Sequence, residues 1–247
     1  MNRIYLVRHG ESEGNINRDL YREKGDHEID LTPLGRQQAW GAGEFLRAHF
    51  AKLNECERGR GNYPMHQARL WVSPYTRARQ TADEIERAFG GRYVDPDQPQ
   101  QLSQDSPVRE VNAKTYLIDR REHPLLCEQQ FGLLNGIANT SVMDTYPDVH
   151  EEYQRAGKFW ARPPGGESRF DVSVRVHQAF GTFHRDADRH GVQNIIVVCH
   201  GTTLRCFVMM WLHKPVEWLS EEPNPKNGAV RLIEDHEDKG YIYNGGS

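Results

Sequence analysis

The sequence is poor in cysteine, in long apolar runs and in net charge. Its four cysteines, Cys56, Cys127, Cys199 and Cys206, stand apart with no Cys-x-x-Cys pair, which argues against a disulfide scaffold and against a thiolate zinc site. The longest apolar run, Cys206 to Leu212, is about a third of what a membrane span requires. Residues 4–7 are too short an apolar run for the core of a signal peptide, so the expectation is a soluble, cytoplasmic protein with no membrane partner. Lys and Arg number 31 against 35 Asp and Glu, a balance of −4, which excludes a general nucleic-acid binder with its basic face. No internal repeat or low-complexity tract is present. There is no P-loop, because Gly10-Glu-Ser-Glu-Gly14 is not followed by Lys-Ser/Thr. The 12 histidines include no His-x-His or His-Glu-x-x-His, and the turns at His9 and His200 lack an obvious carboxylate as a third ligand. Neither a metal nor a cofactor is expected.

What is present fits one globular domain over residues 1–247. Hydrophobic residues make up 37% of the chain and aromatics 10%, enough for a packed core. Residues 3–7, 68–72 and 195–199 read as short buried strands. Thr32, as N-cap with Pro33 behind it, opens a helix with Leu34, Ala39, Ala42, Phe45, Leu46 and Phe50 on one side. A second helix fits Thr76–Phe89, stopped by Gly90-Gly91. Ser168 caps a third, with Asp171 at its third position; Phe170, Val174, Phe180 and Phe183 form its apolar stripe and Gly191 its end. Residues 144–156 look helical, residues 58–64 look like a surface loop, and residues 229–233 and 241–243 read as late strands. The strand–helix–strand–helix order predicts an α/β fold. Residues 92–127, with four of the thirteen prolines and weak periodicity, read as an insertion or lid rather than core.

In open α/β sheets ligands collect at the carboxyl ends of strands. Here three such ends carry Arg8-His9-Gly10, Ser73-Pro-Tyr-Thr-Arg77 and His200-Gly201. Stacked side by side they place two His and two Arg in one crevice, with helix N-termini behind. Such a crevice suits a phosphate dianion: guanidinium forks match its oxygens, and the glycines after each His, Gly10 and Gly201, let the backbone approach. Neighbouring arginines keep an imidazole neutral, so that it can attack phosphorus. The second His can donate to the developing charge, and an acid must protonate the leaving alkoxide. The lid's Arg109, Lys114, Tyr116, Arg120 and Arg121 are either a grip on a second anionic group or solvated charges.

Six segments in order resemble the histidine phosphatase superfamily, the phosphoglycerate-mutase-like group. They are Leu6-Val-Arg-His-Gly-Glu-Ser-Glu-Gly-Asn15, Leu31-Thr-Pro-Leu-Gly-Arg-Gln-Gln-Ala39, Ser73-Pro-Tyr-Thr-Arg-Ala-Arg-Gln-Thr-Ala82, Leu126-Cys-Glu-Gln-Gln-Phe-Gly132, Pro164-Gly-Gly-Glu-Ser168 and Val197-Val-Cys-His-Gly201. The resemblance implies a three-layer α/β/α sandwich, a mostly parallel central sheet, and a lid over its C-terminal strand ends, roughly residues 92–160. It implies His9 as the nucleophile that becomes phosphohistidine, with Arg8, Arg77, His200 and Asn15 around the phosphate. It implies Glu128 as proton donor, with Glu110 as the rival. Related cofactor-dependent mutases carry Trp just before the motif Asn and a Phe-Thr-Gly-Trp stretch soon after; this sequence has Gly14 and residues 17–27 there instead. Hydrolysis of a small phosphorylated metabolite is therefore the expected reaction, with mutase-type transfer or a non-catalytic phospho-ligand module as alternatives.

Overall fold

The computed structural model describes residues 2–59, 67–90, 117–137 and 141–246. Strand β1 (Arg3–Arg8) is followed by the short helices α1 (Glu13–Ile16) and α2 (Leu20–Glu23), a 3-10 turn at Asp26–Glu28, and the long α3 (Pro33–Gly59). β2 (Ala68–Val72) leads into α4 (Thr76–Phe89), and β3 (Leu117–Glu122) into α5 (Val142–Thr145), α6 (Pro147–Trp160) and α7 (Arg169–His190). β4 (Asn194–Cys199) runs directly into α8 (Gly201–Trp211), then α9 (Val216–Glu221) and a hairpin of β5 (Ala229–Glu234) and β6 (Glu237–Asn244).

The strands form one mixed sheet in the order β3-β2-β4-β1-β5-β6. The pairs β3/β2, β2/β4 and β4/β1 are parallel, while β5 is antiparallel to both its neighbours. β2 and β4 are buried along their whole length, which is why they read as unbroken apolar runs rather than alternating ones. Side chains alternate across the pleat. Tyr5, Val7, Ile196 and Val198 face a core closed by Ala42, Leu46 and Phe50 of α3 and Ile85 and Phe89 of α4. Ile4, Leu6, Ile195 and Val197 face the opposite core, closed by Val176, Phe180 and Phe183 of α7 and Leu204 and Phe207 of α8. The result is three layers, with β1 and β4 side by side at the centre and β2 next to β4.

The capping signals act as read. Thr32 Oγ1 accepts from the Gly35 N–H at 2.9 Å, Ser168 and Asp171 form a reciprocal box, and Gly191 ends α7 in the left-handed region at φ 66°. Other readings are corrected. The stretch 92–127 is not all insertion: Leu117–Glu122 is an edge strand of the central sheet, and Leu126 is fully buried. Its charges disguise it, since Arg120 pairs with Asp83 and Glu86 and Arg121 with Asp186, as an edge strand permits. The lid expected over 92–160 therefore cannot be one continuous insert, and residues 91–116, with Arg109, Glu110, Lys114 and Tyr116, lie outside the described residues. The helix expected over 144–156 is two helices, because Pro147 starts α6 and excludes a continuous turn through Tyr146. α3 continues to Gly59, into the segment 58–64 read as a loop, of which residues 60–64 are outside the described set. Leu34, Phe170 and Val174, placed on apolar stripes, are exposed. The last strands form a hairpin whose two turn residues, Asp235 and His236, both have positive φ, the geometry that fits strand twist.

Candidate active site

β1 and β4 end in Arg8-His9 and Cys199-His200, and the ladder between them continues one residue further: the His9 N–H donates to the Cys199 carbonyl at 3.0 Å. The two imidazoles consequently stand 5.1 Å apart between centroids, both buried. From the neighbouring strand end, the Ser73 N–H donates to Val198 O at 3.0 Å. This sets Ser73 Oγ 2.7 Å from His200 Nε2. All three strand ends thus meet, as their sequences predict.

His9 Nδ1 lies 2.7 Å from the Gly10 carbonyl. A carbonyl only accepts, so Nδ1 carries the proton and Nε2 keeps its lone pair. Burial, reinforced by the charges of Arg77 and Arg8, holds the His9 imidazole well below its ordinary pKa, against the opposing pull of the Gly10 hydrogen bond. Burial does the same to His200, helped by Arg77. Both rings are neutral at physiological pH. Arg8 Nη1 donates to the Pro225 carbonyl. Arg77, in the first turn of α4, donates from Nη1 to the Asp26 carbonyl at 2.6 Å and to Asp26 Oδ1 at 2.8 Å, with its guanidinium over the Tyr75 ring. Arg8 Nε, Arg77 Nε and His200 Nδ1 are buried and have no hydrogen-bond partner. Orphaned buried polar atoms are costly, and these three belong to the residues gathered around His9.

Glu128 is carried to the same place by a turn locked from below. Arg175 donates to the carbonyls of Leu125 and Glu128 and pairs with Glu167. Gln129 Nε2 donates to the Glu167 carbonyl at 2.7 Å. The Glu128 carboxylate then receives the N–H groups of Thr202 and Thr203, at 3.2 and 3.3 Å, from the first turn of α8, where the helix dipole favours an anion. Its charge acts on Arg8. Asn15 Oδ1 accepts from the Ser12 N–H and from Asn227 Nδ2, which also donates to the His9 carbonyl, so the Asn15 amide NH2 remains available as a donor. Gly201 starts α8 beside His200, but a Cβ there would fall 2.3 Å from Asn224 Oδ1, and one at Gly10 would fall 2.0 Å from the Gly35 carbonyl. Both glycines admit other protein segments; the close approach they allow is protein against protein. Glu110 is outside the described residues.

Sequence reasoning missed two contributors. Asp26 lies in the segment that stands where mutases have another motif, and no motif of its own marks it. Residues 223–228 wall the site through Pro225 and Asn227; their Pro-Asn-Pro-Lys-Asn-Gly composition marks a loop between the last helix and β5, but no motif names it. Tyr21 packs its ring where a Cβ on Gly14 would go, 2.5 Å away, so the space left beside the motif Asn is filled from α2. Among the described residues no three His, Cys, Asp or Glu side chains gather as an ion would need, and no helix is long and apolar enough to cross a membrane.

The sequence pattern of the histidine phosphatase superfamily (branch 1) matches residues 4–103 and 106–244. The phosphoglycerate mutase-like protein AT74 of Arabidopsis thaliana is 33% identical over 239 residues, 94% of this chain; the match spans 64% of AT74, just under two thirds of its length. The broad-range acid phosphatase DET1 of Saccharomyces cerevisiae is 29% identical, covering 94% of this chain and 84% of its own. Among solved structures, a mycobacterial glucosyl-3-phosphoglycerate phosphatase superposes with a TM-score of 0.62 over 100% of both chains at 20% identity, a likeness of fold. Six ordered segments, the mixed sheet and the His9–His200 crevice all agree with these matches, and the chain belongs to the histidine phosphatase superfamily.

Proposed function

We propose that this chain hydrolyses phosphomonoesters of small metabolites through a phosphohistidine on His9. The observation that carries the reading is the convergence of the buried, unpartnered Arg8 Nε, Arg77 Nε and His200 Nδ1 around an imidazole whose Nε2 lone pair is free. In the first step His9 Nε2 bonds to phosphorus as the ester P–O bond breaks, with the bond's electron pair leaving on the alcohol oxygen. Glu128, in its acid form, gives that oxygen a proton. Arg8, Arg77, His200 and the Asn15 amide bind the phosphoryl oxygens, with the α8 N-terminus at Gly201 behind them. In the second step Glu128 takes a proton from water, whose oxygen attacks phosphorus, releasing inorganic phosphate and neutral His9. No step needs a metal or a cofactor.

DET1, named a phosphatase, supports the hydrolytic direction. AT74, named mutase-like, supports a second reading, in which the phosphoryl group passes to another metabolite. Gly14 and the Tyr21 ring on it, in place of the mutase Trp, favour hydrolysis. The test is rapid mixing with a phosphomonoester and an alkaline quench, followed by intact-mass analysis. The parent should gain the mass of one phosphoryl group, and His9→Ala should not. Steady-state turnover of His9→Ala should fall by at least ~10³-fold, the scale of losing a covalent nucleophile. Near-full activity in that variant overturns the assignment of the nucleophile. Binding with neither phosphate release nor a phosphoryl adduct in the parent would make the chain a binding module, and recovery of the phosphoryl group on a second metabolite would make it a mutase.

A further inference from the structure

Glu128 reaches the crevice from the end of β3, five residues after His123, the residue that follows the strand. The family-like segment begins at Leu126 and leaves His123 unexplained. The His123 N–H donates to the Val72 carbonyl at 2.9 Å, which prolongs the β2/β3 ladder to the residue before Ser73. Pro124 then opens a 3-10 turn, Pro124–Leu126, with His123 as its N-cap. The ring makes the cap: Nδ1 lies 3.2 Å from the Leu125 nitrogen. A backbone N–H only donates, so Nδ1 accepts and carries no proton. A neutral imidazole then keeps its one proton on Nε2, which lies 3.4 Å from Thr182 Oγ1 in α7. Arg185 donates to the same oxygen at 3.1 Å, which leaves a second lone pair for His123. The half-buried ring meets Trp71 and Phe183 edge-on, with centroids 5.9 Å apart in both contacts. Burial lowers its pKa, so it is neutral at physiological pH.

The turn is thereby tied to α7 at two points. Leu125 is gripped at both backbone groups, its N–H by His123 and its carbonyl by Arg175 Nη1 at 2.7 Å. Leu126 is fully buried, and the Cys127 N–H donates back to the Pro124 carbonyl at 3.3 Å. Glu128 leaves this turn next. Its carboxylate meets the Thr202 and Thr203 N–H groups at 3.2 and 3.3 Å, the long end of hydrogen bonding, so those bonds alone aim it loosely. The direction comes from the turn. His123 itself faces Thr182 and Phe183 of α7 and acts through Glu128.

We infer that His123 is a positioning residue for Glu128: by capping the Pro124–Leu126 turn, its Nδ1 fixes the angle at which the Glu128 carboxyl meets the leaving oxygen, an assignment that rests on the proton-donor reading above.

The test is kcat/KM, which reads the step that breaks the ester bond, for His123→Ala, His123→Asn and His123→Gln on glycerol 3-phosphate and on p-nitrophenyl phosphate. Asn places an acceptor oxygen near the position of Nδ1 and is a favoured cap. Gln reaches toward Thr182 and is a poor cap. His123→Ala should lose about 10-fold on glycerol 3-phosphate, the worth of one hydrogen bond, and less than about 3-fold on p-nitrophenyl phosphate, whose leaving group hardly needs a proton. His123→Asn should recover most of the loss and His123→Gln little. Urea unfolding identifies any variant that fails to fold; should His123→Ala do so, the comparison of Asn with Gln decides. In a Glu128→Gln background His123→Ala should cost nothing further, since a residue acting through Glu128 has nothing left to position. A substrate pattern in His123→Ala unlike that of Glu128→Gln, a His123→Asn protein no better than His123→Gln, or an undiminished loss in the Glu128→Gln background overturns the inference. Should both single variants lose equally on both substrates while the His123 effect vanishes in Glu128→Gln, His123 still positions Glu128 and the proton-donor reading alone fails.

Discussion

The His9 N–H donates to the Cys199 carbonyl at 3.0 Å, so the two imidazoles at the ends of β1 and β4 are set by main-chain geometry rather than by side-chain choice. Parallel strands in register bring Arg8 opposite Cys199, and the next residue on each strand is a histidine. Two neutral rings in a buried crevice follow, with Arg8 and Arg77 supplying the positive charge.

This burial fixes how stability depends on pH. His9 and His200 are held well below their ordinary pKa in the folded chain, first by burial and then by Arg77. On lowering pH the unfolded chain takes up these protons first, near pH ~6.5, while the folded chain does not. Stability is therefore unaffected by these groups above about pH 6.5 and lost below it, by up to ~1.4 kcal/mol per pH unit for each histidine. Urea unfolding from pH 7.5 to 5.5 should show the fall, and His9→Gln should flatten it by about one proton's worth. A His9→Gln curve parallel to the parent's would show that His9 titrates alike in both states.

Removing Glu128, the proposed proton donor, should separate leaving groups. A sugar alkoxide needs protonation as the P–O bond breaks, whereas p-nitrophenolate hardly does. Glu128→Gln should lose about 10²–10⁴-fold on alkyl phosphates and far less on p-nitrophenyl phosphate, and Glu110→Gln should be nearly silent on both. Equal losses on both substrates in Glu128→Gln would assign Glu128 to structure or binding. A selective loss in Glu110→Gln would give that residue the acid's role.

The parts legible in the sequence are those where one residue answers to one local rule. Apolar runs marked β2 and β4 because both are buried on two faces, and Ser168, Gly191 and Thr32 marked helix ends because capping is local chemistry. The strand ends put His9, Arg77 and His200 together because the sheet is parallel there. What stayed hidden depends on partners distant in sequence. β3 looks like solvated loop until Asp83, Glu86 and Asp186 are seen to neutralise its arginines. Asn227 and Pro225 reach His9 and Arg8 from more than 200 residues away, and nothing in a Pro- and Asn-rich loop foretells that.

Chelation should leave activity intact. On the proposed reading the phosphate charge is met by Arg8, Arg77 and His200, and Glu128 faces helix N–H groups rather than other carboxylates. Prolonged dialysis against EDTA should change turnover by less than about two-fold, within the scatter of a rate assay. Loss of activity restored by magnesium or zinc would overturn the site as drawn.

Asp26 should prove to hold Arg77 for phosphate rather than compete with it. Arg77 Nη1 gives both its bonds to Asp26, at 2.6 and 2.8 Å, while Nε stays buried and unpartnered. One side of the fork is thus pinned, and the other is left to an anion. Asp26→Ala deletes the side-chain acceptor but keeps the carbonyl, so the fork gains freedom that binding must then remove. The loss of one charge-assisted bond is worth about 1.5 kcal/mol, or roughly ten-fold in KM, with a smaller change in kcat if substrate and transition state share the contact. Asp26→Asn keeps an acceptor oxygen but loses the charge, and should recover only a small part of the difference. Acid should reproduce the effect in the parent, because burial raises the Asp26 carboxyl above its ordinary value despite Arg77, and its protonation weakens the same bond. The ratio of parent to Asp26→Ala KM cancels the titration of the substrate itself, and it should move toward one as pH falls. If Asp26 were instead a plug that phosphate must displace, Asp26→Ala would lower KM, and the sign of that single change decides between the two.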